Sequence, residues 1–227
     1  MMINVALFTS DYIDAPTIKM LDPISGKCTT LFEGLVCGFD VYGIEISDKA
    51  VNETYHYLKK YLETEKYKHV TKTVKFSGEN KSFKAARHTF EIAKTKEEMK
   101  NKQQKTFEII AGNSVHANKY YKKNSFHLIV GDLPYGVQHG NVTNEKQSSI
   151  TRNPKELLLA CLGSWKDTMM PGGVIVLAWN KFVLRRDEMI QIFENTGFHV
   201  FNEGIYQEFE HRVDQAIKRV IVVAKKL

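Results

Sequence analysis

The chain has 227 residues, of which 43% are hydrophobic, and its net charge is +6. This size suits one large domain, or one domain with an insertion, and the longest apolar run in its second half, Val174 to Trp179, is far too short to span a membrane. The three cysteines at positions 28, 37 and 161 lack metal-ligand spacing, which argues against a zinc site; together with the absence of a signal peptide in the first residues, this favours the cytoplasm.

Before residue 66 the pattern predicts strands that alternate with helices. Gly38 is a helix-stop signal and Ser47 is a helix cap, and the apolar run between them is typical of a buried strand. The predicted elements are strands over Met1 to Phe8, Ile18 to Leu21 and Val41 to Ile46, and helices over Thr29 to Cys37 and from Ser47 through Leu62.

A basic segment from Lys66 to Lys105 interrupts this alternation. It holds eleven lysines and one arginine against four glutamates, a net charge of +8, so the rest of the chain carries −2. Such a block favours a polyanionic partner, because cationic side chains that contact phosphates release counterions; the alternative is a well-solvated surface. Its second half, Phe83 to Lys102, predicts a mostly polar helix that adds little to the core.

The second half of the chain returns to alternating strands and helices. Asn153, Pro154 and Glu156 combine a helix cap, a proline at the first helical position and a reciprocal glutamate, so a helix begins there and continues through Trp165. The other predicted elements are strands over Phe107 to Ala111, Phe126 to Val130, Val174 to Trp179, Phe198 to Ile205 and Ala216 to Ala224, a helix over Arg186 to Asn195, and loops over Gln138 to Arg152 and Tyr206 to Gln215.

This order of elements predicts an α/β fold. Strands that alternate with helices form a mostly parallel sheet with right-handed crossovers and with helices on both faces. The last two strands leave no room for a helix between them, so we expect a sheet of seven strands, counted from the strand over Ile18 to Leu21, that ends in an antiparallel hairpin. Residues 1–227 then form a single domain with a basic insertion at about 66–105 and no internal repeat.

The most informative stretch follows the strand over Phe126 to Val130. There Asp132, Leu133, Pro134 and Tyr135 would project from the carboxyl edge of the sheet, where ligands bind in open α/β folds. The Asp132 carboxylate and a backbone carbonyl near Leu133 and Pro134 could each accept a hydrogen bond from an amine, and Tyr135 offers a stacking face. An acidic strand end followed by a proline turn is the structural alternative.

The loop from Asp22 to Thr30 can lie against a ligand at the N-terminus of the following helix. Gly26 lets the backbone approach closely, and Thr29 can cap the helix. The loop lacks the spacing of a nucleotide-triphosphate loop, and the Asp22 carboxylate would repel a pyrophosphate but suits an amino-acid ammonium group. The candidate cofactor residues of this loop are Asp22, Pro23, Ser25, Gly26 and Thr29.

Two further strand ends carry groups that suit the same ligand. Glu45, followed by Ile46, ends a predicted strand at a position where an acidic residue can accept from both hydroxyls of a ribose. Asn113 follows the next strand and could accept from an adenine amine. Each residue alone is more typical of loop or turn structure, but groups for an ammonium, a ribose and an adenine together describe S-adenosylmethionine.

These motifs resemble those of the class I S-adenosylmethionine-dependent methyltransferases, which have a Rossmann-like fold. The run from Asp132 to Tyr135 is similar to the (D/N/S)PPY motif of the amino-methyltransferases. The pattern Asp-Pro-x-x-Gly-x-x-Thr-Thr-Leu that begins at Asp22 is most similar to the tRNA guanine-N2 methyltransferases, which often carry a THUMP RNA-binding domain. The resemblance covers nearly the whole chain apart from Lys66 to Lys105, and it implies S-adenosylmethionine as the cofactor, with guanine N2 in tRNA or other RNA as the first candidate substrate.

Several departures from the family pattern bear on this implication. Lys27 and Cys28 stand where a small residue and a glycine are usual, and a cysteine held at φ > 0 costs about 1–2 kcal/mol. Leu133 replaces the first proline of the catalytic motif, and Asn113 replaces the usual aspartate. No THUMP-like region precedes the domain, so substrate delivery needs another route, such as a partner subunit.

Other polar residues could line the substrate side of the same site. Ordinary loop solvation is the alternative for each, and so is an ion pair, such as that of Arg212 with Asp214. No histidine pairs with a nearby acid and serine as a hydrolytic triad requires. The candidate substrate-binding residues are His139, Arg152, Asn180, His211 and Arg212.

The sequence leaves several functions open beside RNA amine methylation. A DNA adenine or cytosine amino-methyltransferase shares the catalytic motif but usually carries a target-recognition domain. A protein-glutamine methyltransferase is a third possibility, since the side-chain amide of its substrate fits the same acceptors, and the basic segment weighs against it. A non-catalytic nucleic-acid-binding scaffold is supported by Lys27 and Cys28 and opposed by Asp132, Pro134 and Tyr135. The oligomeric state is also open.

Overall fold

A computed structural model describes residues 1–135, 153–215 and 217–227 of the chain. These residues form a ten-stranded sheet with helices on both faces. The strands are β1 (Lys19–Asp22), β2 (Asp40–Glu45), β3 (Lys68–Ser77), β4 (Lys84–Ala93), β5 (Lys105–Ala111), β6 (Phe126–Asp132), β7 (Met169–Asn180), β8 (Phe198–Phe201), β9 (Glu210–Asp214) and β10 (Ile217–Lys226). The helices are α1 (Met2–Thr9), α2 (Thr29–Val36), α3 (Asp48–Thr64), α4 (Lys96–Lys100), α5 (Ala117–Tyr120), α6 (Pro154–Thr168) and α7 (Arg186–Asn195).

The strand order is β3-β4-β5-β2-β1-β6-β7-β10-β8. The five inner strands, from β5 to β7, pair in parallel, so their carboxyl ends lie at one edge. The chain turns from β1 towards β2 on one side and places β6 on the other, which makes the β1–β6 gap the topological switch point where ligands bind in such sheets. The predicted α/β sheet with a parallel centre is confirmed.

The carboxyl-terminal part of the sheet is antiparallel, as predicted. Strand β10 pairs with β7 and with β8 in antiparallel fashion. Strand β9 lies in the connector that was predicted to be a loop, and it also pairs with β10. Because β9 and the β3–β4 hairpin join the sheet, it has ten strands instead of the predicted seven.

The start of the chain is a helix, so the strand predicted over Met1 to Phe8 is wrong. Helix α1 packs against β6 and β7 with Ile3 and Ala6 buried. A short apolar run does not distinguish a strand from a helix, and the spacing of three between the two buried residues is that of a helical face. Along the described ranges, no helix is both long enough and apolar enough to cross a membrane.

The basic segment contains a β-hairpin, so the helix predicted over Phe83 to Lys102 is wrong except for the short helix α4. Strand β4 pairs with β5 along its length, which extends the sheet beyond its parallel centre. Phe90 and Ile92, two residues apart, are buried against the core, and Phe90 lies 6.2 Å from the Phe107 ring. The alternation of buried residues with exposed ones is the two-residue period of a strand, and the free edge of β5 decides between the two structures.

The helices predicted from capping signals are confirmed. The side chain of Ser47 accepts from the Ala50 N–H at the start of α3. The Asn153 side chain accepts from the Lys155 N–H at the start of α6, with Pro154 at the first helical position. The polar side chain that begins each helix pairs a backbone donor that the helix itself leaves unpaired.

Candidate active site

A cavity of about 240 Å³ lies at the carboxyl edge of β1, β2, β5 and β6. It brings together residues that are far apart in the chain, as the parallel arrangement of these strands requires. Six of the predicted site residues line it: Pro23, Glu45, Ile46, Asn113, Asp132 and Pro134. Sequence reasoning missed four further lining residues, Ile24, Ile44, Ser114 and Leu157, because apolar contacts and a buried serine carry no motif of their own.

The loop after β1 is held against β2 by hydrogen bonds. The backbone N–H of Ser25 donates to the Ile44 carbonyl at 3.0 Å, and the Ser25 hydroxyl donates to the same oxygen. A Cβ at Gly43 would lie 2.9 Å from the Ser25 Oγ, so only a glycine at this position of β2 lets the loop approach so closely. Gly26 has a φ of +51°, as expected for the residue that turns the loop.

The Glu45 carboxylate accepts hydrogen bonds from two separate segments beside the cavity. Its Oε2 accepts from the Gly26 N–H at 2.9 Å, and its Oε1 accepts from the Ser47 N–H at 2.8 Å. Each carboxylate oxygen has two acceptor sites, so both oxygens retain a site for a hydroxyl donor. The cofactor loop and the start of α3 are thereby tied to one acidic residue in the cavity wall.

Asp22 is a buried carboxyl group that precedes Pro23 of the cavity wall and is not itself among the lining residues. Its side chain is 2% exposed, and burial, together with the nearby charges of Asp132 and Glu45, raises its pKa to about 7, although the Ile24 N–H donates to it. A Cβ at Gly131 would lie 2.8 Å from the Asp22 Oδ1, so the glycine of β6 makes room for the carboxyl group. A buried carboxyl group with a raised pKa suits a cationic ligand, whose charge would stabilise the ionised form.

Cys28 occupies the left-handed backbone region at the start of α2, with a φ of +64°. Because this φ is positive, cysteine at this position costs stability relative to glycine. Its side chain is fully buried, and burial raises the pKa of the thiol to about 12. Cys28 is the residue that caps α2, and no side chain pairs the first backbone donors, so the cap predicted for Thr29 is wrong; Thr29 is the first residue of the helix.

Asn113 begins a tight turn at the end of β5. Its Oδ1 accepts from the Val115 N–H at 3.1 Å, the contact of a turn-forming residue. The next residue, Ser114, donates to the Pro23 carbonyl and accepts from the Trp165 indole N–H at 2.9 Å. The buried Trp165 of α6 thus joins the end of β5 to the cofactor loop.

The Asp132–Tyr135 turn is anchored to β7. The buried Leu133 donates its N–H to the Ala178 carbonyl at 2.8 Å. Asn180, which is 2% exposed, donates from Nδ2 to the Tyr135 carbonyl at 3.3 Å and accepts from the Lys218 N–H. Through these contacts Asn180 holds the turn against β10, and the substrate contact predicted for it from the sequence stays a prediction. The Tyr135 ring is half-buried and is not enclosed in the core.

Arg219 of β10 forms an ion pair with the first residue of this turn, and the sequence did not predict it. Its Nη2 lies 2.7 Å from the Asp132 Oδ1, and its Nε is buried without a hydrogen-bond partner among the described residues. Although burial alone would lower it, the pKa of Arg219 is raised by its hydrogen bond to Asp132. Burial and the Asp132 charge also raise the pKa of Tyr135.

The remaining predicted substrate residues differ in their placement. His211 of β9 lies directly opposite Arg219 in the antiparallel pair, so the two side chains share a face of the sheet. Arg212 follows it and projects to the other face by strand alternation, away from the Asp132–Arg219 pair. His139 and Arg152 lie outside the described residues. Across the part of the chain described here, no three His, Cys, Asp or Glu side chains are grouped so that they could bind a metal ion.

Comparison with known proteins establishes the fold. No family profile and no curated protein matches this sequence. The chain aligns over 100% of its length with 78% of magnesium protoporphyrin IX methyltransferase from Synechocystis PCC 6803, at 12% identity and a TM-score of 0.56. It aligns over 97% of its length with 85% of a TehB-like SAM-dependent methyltransferase from Corynebacterium glutamicum, at 11% identity and a TM-score of 0.50. The chain therefore has the Rossmann-like class I methyltransferase fold.

Proposed function

We propose that this chain is an S-adenosylmethionine-dependent methyltransferase that acts on an exocyclic amine of a nucleic-acid base, with guanine N2 in tRNA or other RNA as the first candidate. One observation carries the proposal. Six of the residues assigned to the cofactor or to catalysis come from the ends of four different strands and line one cavity, which includes Asp132 and Pro134 of the anchored Asp132–Tyr135 turn. The chain shares its fold with a methyltransferase whose crystal structure contains bound S-adenosylmethionine.

The residues present fit S-adenosylmethionine. The buried Asp22 carboxyl group would bind the ammonium group, and Glu45 would accept from the ribose hydroxyls while it holds the loop through Gly26. Ile46 and Asn113 line the cavity where the adenine would lie, although the Asn113 oxygen also accepts from a backbone N–H. When bound, the cofactor supplies an electrophilic methyl group on a sulfonium centre.

The Asp132–Tyr135 turn would bind and activate the amine. Asp132 would accept one N–H of the amine, and a backbone carbonyl near Leu133 and Pro134 would accept the other, which localises the nitrogen lone pair that forms the new N–C bond. The rigid turn preorganises both acceptors, which is the arrangement that electrostatic catalysis requires. The amine would have to lose one proton, and the Asp132 carboxylate that accepts its N–H would be the group to take it up. Tyr135 would stack on the base.

Exposed lysines support a nucleic-acid substrate. Ten of the eleven lysines from Lys66 to Lys105 are exposed, on the β3–β4 hairpin and on the residues at either side of it. Arg87 is the exception in this segment, because it pairs with the buried Glu108 at 3.2 Å and donates to the Tyr120 carbonyl. The lysines therefore offer a cationic surface, while the arginine holds the hairpin to the sheet.

The function can be tested directly with labelled cofactor. The protein is incubated with S-adenosylmethionine labelled on the methyl group and with separate pools of cellular RNA and DNA, and the nucleosides are then analysed. Label in N2-methylguanosine supports the proposal, and label in methyladenine or methylcytosine of DNA supports the DNA amino-methyltransferase. Cofactor binding without transfer to either pool contradicts the proposal, and no binding at high cofactor concentration favours a non-catalytic scaffold.

We expect Arg219→Met to lower the rate of methyl transfer by about 100-fold, because the Asp132 carboxylate would no longer be held by the ion pair that orients it. The affinity for S-adenosylmethionine should change by less than about twofold, because Arg219 does not line the cofactor side of the cavity. Single-turnover rates and calorimetry measure the two quantities. Arg219→Lys should recover part of the rate, as a residue that positions Asp132 through its charge requires.

The matched control is Arg185→Met, which removes an exposed arginine that pairs with Asp187 away from the cavity. It should leave the rate unchanged. An Arg219→Met protein with the wild-type rate would show that Asp132 is oriented by the turn alone.

A further inference from the structure

A second, larger cavity of about 760 Å³ opens at the opposite edge of the sheet, where β5 begins and β4 ends. We call it the aromatic groove: Phe32, Tyr57, Tyr61 and Tyr67 line it, and Lys94 and Lys105 lie at its rim. Tyr57 and Tyr61 are 62% and 47% exposed. Large aromatic side chains are rarely so exposed together unless they meet a ligand or a partner.

The β3–β4 hairpin connects this groove with the candidate active site. Strand β4 runs antiparallel to β5, so the hairpin tip lies at the carboxyl edge of the parallel strands and its open end lies at the groove. At the tip, the Phe83 ring stacks on His116 with ring centroids 4.8 Å apart. His116 belongs to the turn that begins at Asn113, which lines the active-site cavity. The tip is therefore next to the cavity.

Exposed lysines follow the hairpin from one edge to the other. Lys81 and Lys84 lie at the tip, Lys72 and Lys75 lie along β3, and the others lie at the groove end. None of them forms an ion pair with another described residue. The ten residues of β4 span about 33 Å, close to the length of ten stacked nucleotides at about 3.4 Å each.

We propose that the aromatic groove binds a base of a single-stranded segment of the nucleic-acid substrate, and that the lysines of the hairpin bind the phosphates between this base and the active site. The identity of the ligand rests on the proposed function. Stacking of a base on a tyrosine contributes about 1–3 kcal/mol and accepts any base, because every base has a π-face. The groove would then raise affinity and set the distance between the bound segment and the methylated base.

The charge at the groove favours a polyanion over an acidic or apolar protein segment. Glu98 is the one acidic residue among those that line the groove, and its Oε2 accepts from the Lys94 N–H at 2.8 Å. The lysines at the rim and at the open end of the hairpin outnumber it. A ligand with alternating anionic and planar apolar groups matches a surface on which lysines adjoin tyrosine rings.

The test is binding of a fluorescein-labelled single-stranded RNA of about 20 uridines, measured by anisotropy over a range of salt concentrations. Tyr57→Ala with Tyr61→Ala should raise the Kd about 10- to 100-fold without changing the salt slope, because stacking releases no counterions. Lys68→Gln with Lys72→Gln, at two exposed lysines on the same face of β3, should raise the Kd and reduce the salt slope by about 1.4, which is about 0.7 for each of the two phosphates that the variant no longer neutralises. Far-UV circular dichroism and thermal unfolding establish that each variant folds.

Phe8→Ala is the matched control, because Phe8 is 69% exposed on α1 and does not line the groove. It should leave the Kd unchanged. A wild-type Kd in the tyrosine variant, an equal loss in the Phe8→Ala variant, or no binding of RNA by the wild type would each overturn the inference. The assay needs no methyl transfer, so RNA binding through the tyrosines would stand even if labelled cofactor marks no nucleic acid. Conversely, if RNA is methylated and the tyrosine variant binds RNA normally, the proposed base binding in the aromatic groove is wrong but the proposed function stands.

Discussion

Asp132→Asn is expected to reduce the rate of methyl transfer by about 10³-fold, the loss that follows when a preorganised group at the reacting centre is removed. The amide keeps the shape of the side chain and can still accept one hydrogen bond. It lacks the negative charge that would stabilise the developing positive charge on the amine nitrogen, and it cannot take up the proton. It also ends the ion pair with Arg219, so the side chain loses its orientation.

The measurement is a single-turnover rate with saturating labelled cofactor, together with a calorimetric Kd for S-adenosylmethionine. The Kd should stay within about threefold of wild type, because Asp22 and Glu45, the residues proposed to bind the cofactor, remain in place. Asp187→Asn removes an exposed carboxylate of α7 and serves as the control. If Asp132→Asn lost cofactor binding while the rate per bound cofactor stayed normal, then Asp132 would be a cofactor residue and the catalytic assignment would be wrong.

The cofactor side of the site was predictable because its signals are local. Asp22 and Glu45 each follow a short apolar run, and a parallel sheet carries all such strand ends to the same edge. The spacing of Gly26 after Asp22 indicated a close turn, and the structure places that glycine at positive φ. Cys28 shows that a departure from a family pattern can also be interpreted from the sequence, because the residue does adopt the left-handed conformation that makes cysteine costly.

The residues that orient the catalytic turn could not be predicted, because they come from distant parts of the chain. Arg219 is 87 residues from Asp132 and belongs to a strand whose sequence shows only a continuous apolar run after this arginine. Asn180 follows a buried strand like the residues of a ligand site, and only its burial shows that it holds the Tyr135 carbonyl. Partners of this kind follow from strand order and register, which no local pattern contains.

The secondary structure of the basic insertion was predicted wrongly because its sequence, rich in charged residues, shows no clear two-residue alternation of buried and exposed side chains. Lysines recur in β3 but β4 holds only Lys84, and the buried residues of β4, Ala85, Phe90, Ile92 and Ala93, are too unevenly spaced to show a strand period. The decisive factor is the edge of β5, which offers unpaired backbone groups to any segment that can lie beside it. A helix would leave that edge open, whereas the hairpin covers it and moves the exposed edge outward to β3, where lysines discourage association with other chains.

Asp22→Asn is expected to weaken S-adenosylmethionine binding by about 100-fold, because a hydrogen bond from an ammonium group to a buried carboxylate is worth about 1.5–3 kcal/mol and the amide carries no charge. The amide can still accept from the Ile24 N–H, so the loop should keep its conformation. Calorimetry at about pH 8 measures the loss. In the wild type, affinity should also fall as the pH drops below about 7, since the ammonium group binds the ionised form and the proton must first leave Asp22.

The same substitution is expected to stabilise the cofactor-free protein, and the sign follows from the raised pKa. Asp22 has an ordinary pKa of 3.8, which folding raises to about 7, so between these values the folded state holds a proton that the unfolded state has lost. Wild-type stability therefore falls as the pH rises from about 4 to about 7 and stays low above that, by an amount on the order of 4 kcal/mol. The introduced amide does not titrate, so the Asp22→Asn protein should become the more stable of the two as the pH rises.

Urea unfolding of both proteins without cofactor, at several pH values between about 5 and about 8, measures this difference. The gap in free energy of unfolding should widen with pH up to about 7 and then stay constant, whereas the exposed Asp187→Asn control should follow the wild type throughout. Parallel curves for wild type and Asp22→Asn would mean that Asp22 is ionised and paired without the cofactor. A carboxylate that costs stability in the free protein and is needed for binding behaves as expected of a group that pairs with a cationic ligand, so a widening gap together with the lost affinity would support Asp22 as the ammonium site.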